Sequence, residues 1–374
     1  MANNYVATQL PVVLYQLSRF TRDQHLVSPN LAEKPFTADA LLRNQTAEMI
    51  PGYRREGSNN FVCTDFKIIY MVANQTSIGT GSALADDPCT LVADTDATGL
   101  AVNYTLDTQF KRTVSVAGKD CDSAIKFTER LTTQMMLAMH DIALEINQAA
   151  IAALLANTQV VAAGNGGAYG TVNAGVVEYQ NSDILDVSKW QSILSDFAFV
   201  AQQNKVLSPI VMHGNNFASQ LVNAGFNAAN DNTRSQMQAL LGINNNWDVH
   251  GFSAARANIA LTSLLVDPNA YVFFASNYYP TTPMQTMDEN NTTVFSLPLK
   301  YISTDGSAKT LQYRENGTMK DIMVDCRVQY KCNPSGTVLG HPVPDYIIEM
   351  KVVGDFKTMP ATTPYTGIVR IDAV

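Results

Sequence analysis

The stretch that decides the fold is Leu100-Ala-Val-Asn-Tyr-Thr-Leu-Asp-Thr-Gln-Phe-Lys-Arg-Thr-Val-Ser-Val116. Seven of its nine even-numbered residues are apolar, whereas most of the residues between them are small or polar. This period of two predicts a β-strand with one buried face. At about 3.3 Å per residue the strand would span about 55 Å, far beyond the usual strand length. We expect it to pair with the β-rich segment Phe61–Val72 as a long hairpin, with a Gly-, Ser- and Asp-rich tip at residues 73–99.

The hydrophobic period changes to that of a helix directly after this strand. From about Cys121 to Asn157 apolar residues recur at spacings of three and four, which predicts one amphipathic helix of about 55 Å. Gly118 ends the strand, and Asp120 or Asp122 suits the helix N-terminus as a cap. The predicted apolar face consists of Phe127, Leu131, Met135, Ala138, Met139, Ile142, Ile146, Ala149, Ala153 and Leu154. We interpret it as one helix lying across a sheet, because no heptad pattern continues beyond it.

The remaining segments indicate an α+β chain with mixed sheets. Residues 1–58 predict an arm with a short helix at Leu10–Phe20, after which Pro29, Pro35 and Pro51 interrupt regular structure. We expect this arm to lie over its own subunit or over a neighbouring one. Further elements are a glycine-rich loop at 164–170, helices near 186–204 and 216–224, a surface loop at 225–250, and strands near 210–213, 248–254, 259–266, 270–275, 318–331 and 345–357.

The composition indicates an assembling protein and argues against several other classes. Charged residues make up 16% of the 374 residues, against a typical ~25%, and neutral polar residues (30 Asn and 33 Thr) replace them. Interface cores are depleted in charge because a desolvated ion must be paired. The net charge of −8 gives no basic field for nucleic acid or an anionic membrane. No apolar run approaches the ~20 residues of a membrane-spanning helix, and the N-terminus lacks the pattern of a secretory signal.

The glycine-rich and acidic segments match no complete ligand-binding motif. Gly118-Lys119 resembles the end of a phosphate-binding loop, but Asp120 replaces the required Ser or Thr. The loop at 164–170 has Tyr169 where a dinucleotide-binding loop needs its third glycine, so we interpret it as a tight turn. The segment 94–99 begins like a calcium loop, but Thr105 stands where the bidentate Glu belongs. We interpret this segment as part of the hairpin tip.

No arrangement of His, Cys or Met predicts a catalytic or metal site. The histidines are His25, His140, His213, His250 and His341, and none has a His or Cys partner at metal-ligand spacing. We expect His140 to be a solvated or interfacial side chain on the long helix, and His213 to be structural. The methionines at 135, 136 and 139 predict core packing. The sequence therefore predicts no catalytic residue, no cofactor and no metal.

The order of these elements resembles that of the tailed-bacteriophage major capsid protein, whose fold encapsulins and the herpesvirus capsid floor share. The resemblance covers nearly the whole chain and rests on an arm, a long hairpin, a long helix directly after it, a glycine-rich loop, a helix–strand–helix, a mixed domain and two late strands. The motifs that carry it are Leu154-Leu-Ala-Asn before Gly164-Asn-Gly-Gly, Trp190-Gln-Ser-Ile-Leu, Ser208-Pro-Ile-Val-Met-His-Gly-Asn-Asn-Phe217, Trp247-Asp-Val-His-Gly-Phe252, Leu264–Phe274, Asp325–Tyr330 and Tyr346–Val353.

The resemblance implies a division of the chain and a set of partners. The division is an N-terminal arm (1–58), an extended β-hairpin loop (59–117), a peripheral domain with a spine helix at about 121–157 (118–207), an axial domain (208–317) and closing strands returning to the peripheral domain (318–374). It implies a non-enzymatic subunit that forms hexamers and pentamers of an icosahedral shell around a double-stranded DNA phage genome, assembled in the bacterial host cytoplasm. Partners would be a separate scaffolding protein, a portal, in some cases decoration proteins, and packaged DNA contacted non-specifically; no membrane is involved.

Two departures and two alternatives accompany this interpretation. Only about sixty residues precede the hairpin, too few for a built-in scaffolding domain, so scaffolding would be a separate protein. Lys67 and Lys111 lie on the predicted hairpin, but we assign neither to a cross-link. The near alternative is an encapsulin-like compartment shell. The alternative from another class is a cytosolic α+β enzyme, which predicts a small oligomer and one deep pocket with perturbed ionisable groups.

The cysteines generate a prediction from sequence alone. Cys63, Cys89, Cys121, Cys326 and Cys332 are odd in number and contain no CxxC pair, which predicts reduced thiols. Purified protein should therefore run as a monomer band on a non-reducing gel, with a reduced sample of the same preparation as its control. A ladder of disulfide-linked oligomers would contradict this prediction.

Overall fold

The computed structural model describes residues 3–20, 36–46, 49–56, 60–72, 98–106, 108–117, 124–186, 189–213, 244–247, 262–285, 292–303, 306–338, 341–359 and 365–374. The chain divides into two compact units, of which the smaller is Glu48–Leu106 and the larger comprises Met1–Ala47 and Asp107–Val374.

The smaller unit is a three-stranded antiparallel sheet. Its strands are β1 (Met49–Glu56), β2 (Asn60–Val72) and β3 (Thr98–Thr105), in the order β1-β2-β3. Strand β2 pairs with β3 from Asp65↔Thr105 to Val72↔Thr98, which confirms the predicted pairing over this part of the hairpin. The expectation that Pro51 interrupts regular structure is wrong, because Pro51 lies within β1, and an outer strand tolerates a residue without an N–H.

The larger unit combines helices and mixed sheets. Its helices and strands are α1 (Asn3–Ser18), α2 (Phe36–Asn44), β4 (Gln109–Ala117), α3 (Ala124–Ala156), β5 (Thr171–Asn173), β6 (Val176–Tyr179), α4 (Asn181–Leu185), α5 (Trp190–Gln203), β7 (Ile210–His213), β8 (Asn244–Trp247), β9 (Thr262–Val266), β10 (Tyr271–Ser276), β11 (Met284–Gln285), β12 (Thr293–Pro298), β13 (Lys300–Ile302), β14 (Ala308–Thr310), β15 (Gln312–Glu315), β16 (Thr318–Asp321), β17 (Met323–Val338), β18 (His341–Thr358) and β19 (Ile368–Ala373). The predicted α+β class is therefore confirmed.

Two six-stranded sheets organise this unit. The first has the order β10-β18-β17-β12-β11, and β4 also pairs with β18, from Val353↔Gln109 to Asp345↔Ala117. The second has the order β5-β6-β19-β9-β7-β8. The pairs β13-β14 and β15-β16 form separate two-stranded sheets. The last strand of the chain, β19, thus joins β6 to β9 inside the second sheet.

The strand predicted to run unbroken from 100 to 116 is divided into β3 and β4. Strand β3 pairs with β2 in the smaller unit, whereas β4 pairs with β18 in the larger one. The alternating pattern survives the break, because Phe110 and Val116 are buried while Lys111 and Thr113 between them are exposed. The hydrophobic period of a strand indicates which of its faces is buried, but it does not indicate where the strand changes from one neighbouring strand to another.

The long helix α3 confirms the predicted helix, and it is buried more widely than one amphipathic face requires. Residues 118–123, with the proposed cap positions, lie outside the described residues. The helix packs against β4, β13 and β18, and against α1 and α2. Beyond the predicted apolar face, the buried side chains include Met136, Ala143, Ala150 and Ile151. The wide burial follows from contact on several sides: strands cover one part of the helix surface, and helices α1 and α2 cover another part.

His140 corrects one expectation from the sequence. It was predicted to be solvated or interfacial, but its side chain is fully buried on α3. Its Nδ1 accepts a hydrogen bond from the backbone N–H of Ile302 at 3.1 Å. Strand β13 covers this side of the helix, and its contribution could not be read from the local sequence.

Helices α1 and α2 of the N-terminal segment pack on the subunit's own body, one of the two positions left open by the sequence. Helix α1 begins earlier than the predicted Leu10 and contains Pro11, and it buries Val13 and Leu17 against the core. The hydroxyl of Thr132 on α3 donates to Oε1 of Gln16 at 2.8 Å. The predicted short helix is thus confirmed as part of a longer one that packs on α3.

Helix α2 was not predicted, and two buried amide side chains fix its ends. Asn147 of α3 accepts a hydrogen bond from the backbone N–H of Ala38 at 2.8 Å through its Oδ1, which caps the first turn of α2. At the other end, Gln45 donates from Nε2 to the carbonyl oxygens of Phe273 and Arg314 and accepts from the Phe273 N–H at 2.8 Å. Both partners are distant in sequence, so the local pattern could not reveal this helix.

The remaining predictions are confirmed in part. The predicted helix near 186–204, the loop at 164–170 and the strands near 210–213, 259–266, 270–275 and 345–357 correspond to elements of the structure. Residues 244–247, expected in a surface loop, form β8 parallel to β7. The strand expected over 318–331 is two strands separated at the buried Ile322, and β11 to β15 were not predicted. The helix near 216–224 and the strand near 248–254 lie outside the described residues.

The burial of α3 gives a prediction about folding. Met135→Glu or Ile142→Glu places an unpaired carboxylate at a fully buried position, which costs several kcal/mol out of a total stability of about 5–15 kcal/mol. We expect insoluble or unfolded protein by circular dichroism. Glu129→Ala, an exposed position on the same helix, is the control and should keep the wild-type melting temperature within a few degrees. A soluble Ile142→Glu protein with wild-type melting would contradict the assignment of this face.

Candidate functional site

Two of the buried carboxylates in the described part of the chain, Asp325 and Asp267, bind backbone N–H groups. Asp325 accepts hydrogen bonds from Ser296 Oγ at 2.6 Å and from the N–H groups of Tyr278 and Tyr279 at 2.9 and 3.2 Å. Asp267 likewise accepts from the N–H groups of Leu207 and Asn269, at 2.9 and 2.8 Å. Among the residues with described positions, no group of three or more His, Cys, Asp or Glu could hold a metal ion.

The best-defined local site is the glycine-rich loop after α3, residues 164–170, which we call the glycine loop. The side chain of Asp196 on α5, which is 1% exposed, binds this loop. One carboxylate oxygen accepts from the Ala168 N–H at 2.6 Å, and the other accepts from the Tyr169 N–H at 2.9 Å. The Tyr179 hydroxyl donates a third hydrogen bond to Asp196 at 2.8 Å. Two adjacent amides and a phenol thus satisfy this buried carboxylate.

The glycines of the loop permit its close approach to α5. Gly167 has a φ of +82°, in the left-handed region that disfavours other residues. A Cβ at this position would lie 2.6 Å from both carboxylate oxygens of Asp196. Gln203 at the end of α5 supports the same loop, because its Oε1 accepts from the Gly167 N–H at 3.1 Å. The interpretation of 164–170 as a tight turn with a structural role for its glycines is confirmed.

Tyr179 is a permanent donor in this site. Burial and the nearby negative charge of Asp196 both raise the pKa of its hydroxyl far above the usual value, so the phenol stays protonated. Its ring packs edge-to-face on Phe197 with centroids 5.6 Å apart. Sequence reasoning missed both Asp196 and Tyr179. The available signal was Asp196 itself, a single ionisable residue within an otherwise uncharged helix.

The residues singled out from the sequence do not come together. His213 ends β7 and His341 begins β18, His140 is buried on α3, and His25 and His250 lie outside the described residues. The predicted packing role of Met135, Met136 and Met139 is confirmed, since all three are fully buried. Lys111 of β4 pairs with Glu349 of β18 at 2.9 Å, and Lys67 lies on β2.

The cysteines and the loop motifs singled out from the sequence form no reactive site in the described part of the chain. Cys326 is a free, buried thiol. Its burial, and to a smaller extent the negative charge of Asp325, raise the pKa of the thiol well above the usual value. The thiol therefore stays protonated and unreactive. Cys63 and Cys332 lie on β2 and β17, and the other two cysteines are outside the described residues. Gly118, Lys119 and most of the segment 94–99 also lie outside them. No helix within the described ranges has the length and hydropathy to cross a membrane.

The comparisons with known proteins find similarity only among solved structures. No family model and no curated protein matches the sequence. A chain from Mycobacterium phage Che8 is similar with a TM-score of 0.42 at 10% identity, covering 91% of this chain and 89% of that chain. The capsid structure of the cyanophage P-SCSP1u gives a TM-score of 0.43 at 10% identity, over 89% of this chain and 87% of that chain.

The mature capsid of bacteriophage PhiM1 is similar with a TM-score of 0.38 at 8% identity, over 83% of this chain and 82% of that chain. All three structures come from phages, and two of them are described as capsids. The TM-scores are below 0.5 and the identities are 10% or less, so these similarities assign no role to any residue of this chain.

The site itself predicts how the glycine loop depends on Asp196. In Asp196→Asn, the amide NH₂ replaces one acceptor oxygen and faces a backbone N–H, which leaves a buried donor unsatisfied and costs about 1–3 kcal/mol. The Ala168 and Tyr169 amides should then exchange with deuterium roughly tenfold faster. Tyr179→Phe removes one donor but keeps both backbone bonds, so it should exchange like wild type. Unchanged exchange in Asp196→Asn would show that Asp196 does not hold the loop.

Proposed function

We propose that this chain is the major capsid protein of a tailed phage, a structural subunit of the virion shell without catalytic activity. The observation that carries the proposal is the architecture of residues 48–156. A separate three-stranded unit leads through β4 directly into the long helix α3, which packs on the sheet that contains β4. This is the order of extended hairpin and spine helix that the sequence resemblance implies.

The size of the smaller unit supports a role in contacts between subunits. Strand β2 has 13 residues and spans about 43 Å, yet its sheet has only three strands. Three strands are about the minimum for a sheet that is stable by itself in water, and such a sheet needs a hydrophobic face. In a shell, a neighbouring subunit would cover that face, and obligate contacts between subunits bury about 2,000–5,000 Å².

The charge distribution of the whole chain supports the same role. Low charge content suits a protein with much of its surface in interfaces, because charges are depleted from interface cores. A net charge of −8 suits a shell that encloses DNA without binding it tightly, so packaged DNA would be contacted only non-specifically. We infer hexamers and pentamers as capsomers, assembly in the bacterial host cytoplasm, a portal, and a separate scaffolding protein that sets the size of the shell and is not needed for the subunits to associate.

The division into domains is part of this proposal. Residues 318–374 are assigned to closing strands, and their partners support that assignment, since β17 and β18 lie in the sheet with β4 while α3 packs on β18. We assign residues 118–207 to a peripheral domain and 208–317 to an axial domain. The second sheet links these ranges, because β19 pairs with both β6 and β9.

Self-assembly is the direct test of the proposed function. The full chain, expressed in bacteria and purified, should sediment as large particles that appear in negative-stain micrographs as closed shells hundreds of ångströms wide. A stable monomer or dimer at high protein concentration would contradict the proposal and favour a cytosolic enzyme. Shells that enclose protein cargo and exclude nucleic acid would favour an encapsulin-like compartment.

The hairpin gives a sharper prediction. Replacing residues 73–97, between β2 and β3, by a short Gly/Ser turn should leave a soluble subunit with near-native circular dichroism and melting temperature. The variant should fail to form closed shells, because the contact with the neighbouring subunit is removed. A Gly/Ser linker of the original length is the matched control, since it separates the length of the segment from its side chains. Particles of normal diameter from the short variant would contradict the assignment of this hairpin.

A further inference from the structure

One continuous stretch of the chain has no side chain that is charged at neutral pH. Residues 146–177 include no Asp, Glu, Lys, Arg or His, although charged residues make up 16% of the chain. The stretch covers the C-terminal part of α3, the glycine loop, β5 and the first half of β6. Burial does not explain the missing charges, because many of its residues lie at the surface.

The exposed residues of this stretch are all neutral. They are Gln148, Ala152, Ala156, Val160, Ala162, Ala163, Gly164, Ala168, Tyr169, Thr171, Asn173 and Ala174. Val160 is 81% exposed and Tyr169 is 48% exposed. Solvent-exposed positions normally carry much of a protein's charge, so the neutral composition needs another cause.

The neutral region continues onto α5. Phe199 is 57% exposed, and Gln202 and Gln203 are also exposed. The two segments are joined, because the Asn165 side-chain amide donates to the Gln203 carbonyl oxygen at 3.4 Å and the Gly167 N–H donates to the Gln203 side chain. The single charge of α5, Asp196, points inward to the loop amides. We call the exposed side chains of residues 148–174, with Phe199, Gln202 and Gln203, the uncharged surface.

We propose that the uncharged surface is a contact site for a second copy of this chain. Each copy carries a net charge of −8, so two copies repel one another wherever ordinary charged surfaces approach. One carboxylate borders this surface, because Oε1 of Glu178 accepts a hydrogen bond from the Asn173 side chain at 3.1 Å. Away from that edge, the surface allows close approach with no like-charge pair and no ion to desolvate. Exposed aromatic and aliphatic side chains such as Phe199 and Val160 supply the apolar area of an interface core, and the exposed Lys205, stacked 4.3 Å from the centre of the Tyr365 ring, suits a charged rim.

The hydrogen bonds of the glycine loop add to the case for an interface. Asp196 and Gln203 hold the loop at three backbone N–H groups, so Tyr169 is presented from a fixed backbone. A surface ordered before binding loses less conformational entropy when a partner binds. This inference rests on the proposed self-assembly and adds which surface of the subunit is used.

Two pairs of matched variants test this contact. Phe199→Glu and Gln202→Glu each add one negative charge to the uncharged surface, and the second is nearly isosteric, so its fold should be unaffected. Met319→Glu and Thr282→Glu add the same charge at exposed positions, one on β16 and one between β10 and β11, outside this surface. The measurement is the concentration of free subunit in equilibrium with assembled particles, determined by sedimentation. The surface variants should raise this concentration by roughly tenfold or more, and the controls should leave it within about twofold.

The outcomes separate this inference from the proposed function. Salt at about 0.5 M should partly restore assembly of Gln202→Glu, because the added repulsion is screened. If wild type assembles and both surface variants assemble equally well, the contact site is wrong and the shell function stands. If the control variants lose assembly to the same degree, the effect is not specific to this surface and the inference is also overturned. If wild type itself stays monomeric or dimeric, the proposed function fails as a whole.

Discussion

The burial of α3 is the constraint on which the rest of the structure depends. This 33-residue helix, about 50 Å long, buries side chains on more than one face, including Met136, Ala143 and Ile151. Strands β4, β13 and β18 cover part of it, and α1 and α2 cover another part. The N-terminal segment is therefore a component of the core of its own subunit. The ion pair of Arg112 on β4 with Glu145 on α3, at 2.5 Å, joins the helix to the strand that continues the chain from the hairpin.

Buried polar side chains fix the places where this packing leaves backbone groups without a partner. Asn147 caps α2, Gln45 bonds to two strands, and Asp196 holds the glycine loop. Each binds backbone N–H or C=O groups, and those that are buried would cost about 1–3 kcal/mol apiece without a partner. These side chains need no catalytic explanation, since their hydrogen-bond partners are mainly backbone groups. They show how a chain with few charges uses amides and isolated carboxylates to specify its loops.

The proposed shell function and the uncharged surface have a common physical basis. A subunit that must bury several surfaces cannot carry ordinary surface charge on them, because each desolvated ion needs a partner. The low charge of the whole chain and the absence of charge from residues 146–177 are the global and local forms of this requirement. The small hairpin unit, a separate sheet of three strands, is proposed to serve the same contacts between subunits.

The sequence by itself determined the long helix, the faces of the main strands and the α+β class, because these follow from local periods of 3.6 and 2. The alternation of Phe110 and Val116 with polar neighbours predicted which side of β4 is buried. Only the tertiary structure decided that the strand divides between two sheets, that His140 is buried under β13, that α2 forms, and that Asp196 binds the glycine loop. Each of these depends on partners distant in sequence, such as the Ala38–Asn147 hydrogen bond, and a local hydrophobic pattern carries no information about which distant group supplies the cover or the hydrogen bond.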